Sequence, residues 1–509
     1  MVRRLAMPLV VLVCCATAAP AAAAPCEELR SLTVSNVDVS KAEVVAPGAF
    51  LPPGAGDNPA LAASYRSLPS FCRIAATLEP TSDSEIKVEV WLPVGIWNGK
   101  FQAVGNGGWA GVIPYSSMAV ALAAGYATAG TDTGHEGNSA SFASGHPERV
   151  IDMGYRAVHE MTVYAKTVMP AYYGTMPTAS IWNACSTGGR QGIVAAVRYP
   201  SDFDAVVAGA PAIDWMHLHA GRIALHQAVN KSPIHRVPPQ KYALVHNAVL
   251  NACDGLDGVR DGVLEDPSAC RFDPQVLACT AGDAPDCLTA PQVDAARAYY
   301  EPIRHPQRGD VVMSGLERGT ELSWGTLGGA QPIGNAVEAF KHIAFKDANW
   351  DWRRFNLSTD LRVIDDADGG VLAGADPDLR PFFERGGKLL MYHGWSDPQI
   401  PPGNTVAFFN QIVERAGAAA VGPSVQLYMV PGMGHCRGGA GTDRFNPVEA
   451  LEQWMVSGNA PAFIPASRVV DGRVVRTRPI CAFGSVARWT GTGSTDEAAN
   501  FACIPAEVP

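Results

Sequence analysis

Two short segments of the chain contain residues that could act as a nucleophile and its base, a serine and a histidine, each next to a cysteine. Ser186 follows Cys185 in the run Ala-Cys-Ser-Thr-Gly-Gly, and His435 precedes Cys436 in Gly-Met-Gly-His-Cys. If the imidazole of His435 activates the hydroxyl of Ser186, their side chains must approach within about 3 Å. The adjacent cysteines, Cys185 and Cys436, then come within disulfide range. Contact between the serine and the histidine therefore predicts the disulfide, and the disulfide predicts that contact.

A carboxylate lies between these two pairs in the chain. Asp397 ends the run His-Gly-Trp-Ser-Asp, directly after an apolar segment. Such a carboxylate fixes the imidazole tautomer and stabilises the imidazolium formed when the serine loses its proton. The chain order Ser186, Asp397, His435 is that of an α/β-hydrolase triad. The usual G-x-S-x-G turn reads A-x-S-x-G here, and Ala184 is small enough to let strand and helix approach.

Acyl transfer also needs N–H donors for the oxyanion. We expect one from the backbone of Thr187, directly after the nucleophile. The second should come from the Gly-Asn-Gly-Gly run at 105–108, with Gly108 as first choice and Gly107 as the alternative. Taken alone, this run is also compatible with a tight turn that needs positive φ.

Strands and helices must position these residues. Apolar, strand-like runs lie at 85–92, 101–104, 179–183, 205–210, 387–394 and 425–430. A helical pattern follows Ser186, which places the serine at a strand-to-helix turn, while Asp397 and His435 each follow a strand. The run 85–92 alternates polar and apolar residues, which predicts a half-buried strand. The expected fold class is α/β, an α/β-hydrolase fold with a large inserted lid domain.

The alternation of strands and helices stops in the middle of the chain. The stretch 213–375 has four cysteines, many Asp-Gly turns and no clear strand–helix repeat. A chain of 509 residues also exceeds what one hydrophobic core usually holds. We therefore predict a discontinuous catalytic domain, 25–212 and 376–509, interrupted by a lid domain over 213–375.

The N-terminus has the pattern of a secretory signal. Residues 1–24 contain two arginines, a short apolar run and then small residues. The apolar run is too short for a membrane anchor, and no later segment is apolar for long enough to span a bilayer. The net charge of −10 disfavours nucleic acid as a partner. We expect a secreted or periplasmic protein with no membrane partner and no organic cofactor.

Cysteines support export as well. Of the 12 cysteines, ten lie after the signal segment, which suggests five disulfides. Local spacing favours Cys253 with Cys270, Cys279 with Cys287 and Cys481 with Cys503, and the set would be completed by Cys26 with Cys72 and Cys185 with Cys436. Sequence alone does not fix this connectivity. A zinc site is disfavoured, because neither CxxC nor HxxxH spacing occurs near these cysteines.

Three carboxylates separated by glycines form a second group of interest, at Asp254, Asp257 and Asp261. They would repel one another unless they were solvated or gathered around a hard cation such as Ca²⁺. The loop is not an EF-hand, because Leu256 and Val259 occupy its third and sixth positions. From spacing alone, a metal site and solvated Asp-Gly turns are equally compatible with this loop.

Several of these runs together resemble those of one known family, the tannase and feruloyl esterase family. The resemblance is carried by Cys185-Ser186, His435-Cys436, Trp-Asn-Gly-Lys-Phe at 97–101, the glycine-rich run at 105–111 and His-Gly-Trp-Ser-Asp at 393–397. It covers nearly the whole mature chain. The family also includes the hydrolase of mono(2-hydroxyethyl) terephthalate.

The resemblance implies an α/β-hydrolase domain with a lid, a disulfide between the two triad cysteines and a structural calcium in the lid. Matching the family's calcium loop onto this sequence gives the side chains of Asp254, Asp257 and Asp261 and the backbone carbonyls of Val259 and Val263.

The resemblance also implies a serine carboxylesterase acting on small esters of aromatic acids. Feruloyl or other hydroxycinnamoyl esters are our first expectation and galloyl esters the next, with a terephthalate monoester as the alternative. Two other classes stay open: a peptidase on the same fold, since a triad does not distinguish amides from esters, and a non-catalytic, calcium-stabilised binding protein.

Overall fold

The computed structural model describes residues 24–54, 58–373 and 376–506. The predicted signal peptide, apart from its last residue, therefore lies outside the described residues. The strands are β1 (Val37–Val45), β2 (Phe71–Leu78), β3 (Ile86–Pro93), β4 (Phe101–Val104), β5 (Ala127–Thr131), β6 (Ser180–Cys185), β7 (Ala205–Gly209), β8 (Ile303–Arg304), β9 (Val311–Met313), β10 (Lys388–Gly394), β11 (Val425–Val430), β12 (Phe463–Val470), β13 (Arg473–Cys481), β14 (Ser485–Trp489) and β15 (Phe501–Pro505).

Helices alternate with the central strands and also fill the middle of the chain. They are α1 (Pro59–Tyr65), α2 (Tyr115–Ala123), α3 (Pro147–Ile151), α4 (Ala157–Tyr173), α5 (Thr187–Arg198), α6 (Trp215–Val229), α7 (Tyr242–Cys253), α8 (Ala290–Tyr300), α9 (Gly325–Gly328), α10 (Gly334–Ala339), α11 (Leu357–Asp368), α12 (Arg380–Glu384), α13 (Pro402–Ala416) and α14 (Pro447–Ser457). None of the helices in the described ranges is long and apolar enough to cross a membrane.

One large sheet organises the catalytic part of the chain, with strand order β1-β2-β3-β5-β4-β6-β7-β10-β11. The strands from β1 to β5 along this order are antiparallel, and those from β5 to β11 are parallel. Leu389 and Met391 of β10 pack into one core cluster, with side chains of α4, α5 and α13. Leu390 and Tyr392 pack into another cluster, with α14. Both faces of the parallel strands are therefore covered, as such a sheet requires.

The prediction of a half-buried strand at 85–92 is wrong in one respect. β3 is buried on nearly its whole length, including Glu89, which is 4% exposed. The Glu89 carboxylate accepts hydrogen bonds from the Arg73 guanidinium, the Trp91 indole and the Tyr115 hydroxyl. A carboxylate with this many donors tolerates burial, so the alternating pattern does not mark a solvent-facing side.

A helical insertion occupies the chain between β7 and β10. It contains α6 to α12 and the β8–β9 hairpin, and its hydrophobic core is built around α6 and Trp324. The same core takes in Trp109 and Met153, which precede the insertion in the chain. The insertion therefore packs firmly on the catalytic part. Residues 374 and 375, where we place the end of the lid domain, lie outside the described residues.

Five disulfides join the ten cysteines of the described residues. The pairs are Cys26–Cys72, Cys185–Cys436, Cys253–Cys270, Cys279–Cys287 and Cys481–Cys503. The last three are the pairs that local spacing favours, and the first two are those expected to complete the set. Cys185–Cys436 closes the longest loop, 251 residues, and joins the end of β6 to the turn after β11.

Candidate active site

Ser186 lies in a sharp turn between β6 and α5. Its backbone has φ 67° and ψ −126°, a region that residues other than glycine rarely adopt. The amide of Ser186 donates to the Gly209 carbonyl at 2.9 Å, and the Ser186 carbonyl accepts from the Ala212 amide at 3.2 Å. These bonds to the end of β7 hold the strained turn and leave the hydroxyl free to face the pocket.

The turn accommodates Ala184 because of the glycine opposite to it. A Cβ atom placed on Gly188 would lie 2.5 Å from the Ala184 Cβ, closer than two carbon atoms can pack. Since Gly188 has no Cβ, the first position of the motif can be alanine. Strand and helix thus approach closely even though the first glycine of the usual motif is missing.

The structure brings Ser186, His435 and Asp397 together. His435 Nε2 lies 2.9 Å from Ser186 Oγ, and His435 Nδ1 lies 2.6 Å from Asp397 Oδ2. The arrangement fits a tautomer in which Nδ1–H donates to the carboxylate and Nε2 accepts from the serine hydroxyl. The Cα atoms of Cys185 and Cys436 are 6.1 Å apart, and their disulfide ties the serine turn to the histidine turn.

Asp397 has a further partner that the sequence reasoning did not assign. His393 is fully buried at the end of β10, and its Nε2 lies 2.9 Å from Asp397 Oδ2, the oxygen that also bonds His435. Thr405 Oγ1 lies 2.7 Å from the other ring nitrogen of His393. Burial favours a neutral carboxyl, but the hydrogen bonds from His393 and His435 outweigh it and hold the pKa of Asp397 well below its usual value. The sequence offered only the four-residue spacing of His393 and Asp397 as a signal.

The two expected oxyanion donors border the same pocket as Ser186. Thr187 is the first residue of α5, so its amide has no acceptor within the helix. Its hydroxyl donates to the Gly108 carbonyl at 3.2 Å, which ties the glycine run to the serine turn. Gly108 has φ 54°, a conformation that favours glycine. Gly107 also borders the pocket, so the choice between Gly107 and Gly108 stays open.

The pocket in front of Ser186 has a volume of about 420 Å³. The glycine run and the serine turn form one side, while Gln399 and Ile400 of the loop after β10 border another part. The helical insertion contributes Trp215, Arg222 and Asn335. Trp215 stacks on Trp109 at 4.2 Å between ring centroids, so this wall is aromatic and rigid.

The acidic loop of the insertion, which carries Asp254, Asp257 and Asp261, lies against the two C-terminal hairpins, β12–β13 and β14–β15. Burial first, then the charges of Asp261 and Asp254, raise the pKa of Asp257 to about 6. Asp261 Oδ2 accepts from Arg478 at 2.7 Å and also pairs with Arg476. The side-chain oxygens suit a hard cation. No group of three or more His, Cys, Asp or Glu side chains in the described part of the chain is already gathered so that it could hold a metal ion.

The two backbone positions of the expected calcium loop are buried. Val259 and Val263 are 6% and 8% exposed, and their amides donate to the carboxylates of Asp257 and Asp261 respectively. These local turns order the loop without a metal. The structure therefore supplies the oxygen chemistry that the calcium expectation needs, while the carboxylates would have to come closer to share one ion.

Comparison with known sequences identifies relatives over nearly the whole chain. The family model described as Tannase and feruloyl esterase matches residues 72–504. An uncharacterised esterase of Xanthomonas campestris pv. campestris is 34% identical, with 95% of this chain and 92% of the relative covered. A probable feruloyl esterase B-2 of Aspergillus flavus is 32% identical, with 79% of this chain and 80% of the relative covered.

Solved structures show the same fold. Feruloyl esterase B from Aspergillus oryzae superposes with a TM-score of 0.87 at 28% identity and covers 94% of this chain and 99% of its own. Tannin acyl hydrolase from Aspergillus niger superposes with a TM-score of 0.78 at 21% identity, covering 96% and 94%. The predicted α/β-hydrolase fold is thereby confirmed, and so is the resemblance found in the sequence. The chain belongs to the tannase and feruloyl esterase family and is a carboxylic ester hydrolase of small-molecule esters.

Proposed function

We propose that this enzyme is an exported serine carboxylesterase that hydrolyses esters of aromatic acids. The observation that carries the proposal is the hydrogen-bonded series Ser186–His435–Asp397, whose serine opens into a pocket with an aromatic wall. The names of the relatives support the substrate class, since they include feruloyl esterases and a tannin acyl hydrolase.

The geometry supports a two-step mechanism. Ser186 Oγ attacks the ester carbonyl while His435 Nε2 takes the hydroxyl proton, and Asp397 stabilises the imidazolium. The amides of Thr187 and of Gly108 or Gly107 hold the oxyanion. His435 then protonates the departing alcohol, which leaves an acyl group on Ser186. Water activated by the same histidine attacks this acyl-enzyme and releases the acid.

The acyl group of the substrate should lie against Trp215. Trp109 and the Arg190 guanidinium already lie over the Trp215 ring, so a flat aromatic substrate would meet the edge of this indole, which a short aliphatic chain contacts less well. Hydroxycinnamoyl esters such as ferulates are the first candidates and galloyl esters the next. Terephthalate monoesters are the alternative, because they present the same flat, para-substituted acyl group.

Calcium in the acidic loop and export belong to the same proposal. Asp254, Asp257 and Asp261 with the carbonyls of Val259 and Val263 would hold the ion, because carboxylate and carbonyl oxygens suit a hard cation. Five disulfides support an oxidising compartment outside the cytoplasm.

Initial rates on a panel of substrates test the proposed activity. The panel contains methyl ferulate, methyl gallate, mono(2-hydroxyethyl) terephthalate, p-nitrophenyl butyrate and an aminoacyl anilide, with Ser186→Ala as control. We expect Ser186-dependent hydrolysis of at least one aromatic ester and negligible cleavage of the anilide. Hydrolysis of the butyrate alone would refute the aromatic substrate class, and rapid anilide cleavage would favour a peptidase.

A further inference from the structure

Arg222 places a buried positive charge in the wall of the active-site pocket. It lies on α6, is 4% exposed and borders the pocket together with Ser186, Trp215 and Gln399. Among the described residues that line this pocket there is no Asp, Glu or Lys, and no second Arg. Arg222 is therefore the one side chain with a permanent charge among the described lining residues.

The hydrogen bonds of Arg222 go to neutral acceptors. Its Nε and Nη2 donate to the Gln399 carbonyl at 3.0 and 2.8 Å, and Nη1 lies 3.2 Å from His219 Nδ1. Burial, followed by the charge of Arg222, holds the pKa of His219 well below its usual value, so this imidazole is neutral. These contacts use three of the five guanidinium N–H groups and leave two for a ligand.

Protein carboxylates do not neutralise this charge by direct contact. In the described ranges no ion pair joins Arg222 to an Asp or Glu side chain. Asp397 acts on Arg222 through its charge, but its two oxygens already accept from His393, His435 and two backbone amides. Burial lowers the pKa of Arg222 to about 10, with Asp397 opposing, so the guanidinium stays charged at neutral pH.

A buried charge without a directly bonded counter-ion is unfavourable unless a ligand supplies one. We propose that Arg222 binds a carboxylate carried by the substrate ester, so that the pocket prefers aromatic esters with a second, anionic group. The inference rests on the proposed function and narrows its substrate class. The carboxylate can sit on the acyl ring, as in a terephthalate monoester, or on the alcohol.

Matched pairs of esters distinguish these two positions. For the acyl side, monomethyl terephthalate is compared with methyl 4-carbamoylbenzoate, its neutral isostere. For the alcohol side, the benzoyl ester of glycolate is compared with that of glycolamide. The measured quantity is the ratio of kcat/KM for the anionic ester to kcat/KM for its neutral partner. A general loss of activity cancels in this ratio.

The variants are Arg222→Gln, which can still donate to the Gln399 carbonyl, and Arg222→Lys, which keeps a positive charge. Arg198→Gln serves as the matched control, because Arg198 lines a different cavity. We expect the wild-type ratio to exceed one by about tenfold for one of the two pairs, as for one charge-assisted hydrogen bond. This ratio should fall close to one in Arg222→Gln, remain partly raised in Arg222→Lys and equal the wild-type ratio in Arg198→Gln.

Two results would overturn the inference: a wild-type ratio near one for both pairs, or a ratio that Arg222→Gln leaves unchanged. The second result would mean that Arg222 only braces the loop at Gln399. Calorimetric binding of terephthalate and of 4-carbamoylbenzoate to Ser186→Ala provides a readout without turnover. Tighter binding of terephthalate supports Arg222 even if the proposed activity fails. Ser186-dependent hydrolysis with equal binding of the two acids contradicts the acyl-side position, and a glycolate ratio near one as well contradicts the Arg222 inference while leaving the proposed activity intact.

Discussion

Asp397 accepts hydrogen bonds from four donors. The imidazoles of His435 and His393 share Oδ2, while the amides of Gln399 and Ile400 donate to Oδ1 at 2.7 and 3.0 Å. This leaves the carboxylate no freedom to rotate. His393 is thus a positioning residue, since it touches the acid and not the substrate.

Replacing His393 should therefore lower turnover more than binding. In His393→Ala we expect kcat to fall about 10- to 100-fold, the value of one hydrogen bond to a charged group, with KM nearly unchanged. His393→Gln keeps an N–H donor and should retain more activity than the alanine variant. Steady-state kinetics on one aromatic ester measure both parameters. A wild-type kcat in His393→Ala would contradict the assigned role.

Substitution of Gly188 tests whether the close approach of β6 and α5 requires a glycine at this position. Gly188→Ala brings two Cβ atoms to about 2.5 Å and must push α5 away from β6. We expect a loss of about 1–3 kcal/mol in the free energy of unfolding, together with a clear loss of kcat. The double variant Ala184→Gly/Gly188→Ala removes the contact with the Ala184 Cβ and keeps only a tight 3.0 Å contact with the Asn106 carbonyl oxygen, so it should recover part of both. Denaturant unfolding and kinetics measure the effects, and an unchanged single variant would disprove the packing argument.

The triad could be predicted from sequence, but its surroundings could not. Ser186, Asp397 and His435 each lie shortly after the end of a strand and stand in a recognisable order, which is a local signal. His393 and Arg222 depend on distances between segments far apart in the chain, such as the contact of Arg222 with the Gln399 carbonyl. No spacing rule reports contacts of that kind.

At the scale of elements, the C-terminal hairpins brace the acidic loop. Arg476 and Arg478 of β13 reach Asp261, and the Ala487 amide of β14 donates to Glu265 at 2.7 Å. The strands around the serine were predictable, because β4, β6, β7, β10 and β11 are short apolar runs. The depth of burial of β3 was not, because it depends on Arg73 from the neighbouring strand.

The Cys185–Cys436 disulfide couples two elements of the active site, the turns after β6 and β11. The double variant Cys185→Ala/Cys436→Ala should lose most of its activity, because the serine and histidine turns are no longer tied. A loop of 251 residues also predicts a stability loss of up to about 5 kcal/mol.

The matched control is Cys279→Ala/Cys287→Ala, which opens a loop of eight residues in the helical insertion. It should keep its activity, with a smaller loss of stability. Activity and thermal unfolding are measured on both variants. Equal loss of activity in the two would show that Cys185–Cys436 has no specific role at the site.

In the molecule as a whole, the insertion could be predicted from the sequence, because the alternation of strand-like and helix-like segments stops there. Its intimate packing was not, because Trp109 and Met153 from the catalytic part join its core through tertiary contacts alone. The acidic loop lies between this insertion and the C-terminal hairpins. A metal there would stabilise contacts between distant parts of the chain.

Removal of calcium tests this idea. If the dissociation constant of the loop for Ca²⁺ is well below the free Ca²⁺ concentration, chelation should lower the melting temperature by about 5 °C or more. Asp257→Asn should show a lower melting temperature that no longer responds to the chelator. Metal analysis of the purified protein accompanies the scan. A metal-free protein whose transition is unchanged by chelation would refute the calcium site.

Covalent labelling shows whether Ser186 is the nucleophile of ester hydrolysis. The purified enzyme is treated with an aryl fluorophosphonate, and intact mass, peptide mapping and residual ester hydrolysis are measured on the same samples. We predict one equivalent of label on Ser186, activity lost in proportion to labelling, and little reaction in His435→Ala. Labelling at another residue, or full activity with Ser186 blocked, would mean that Ser186 is not the nucleophile.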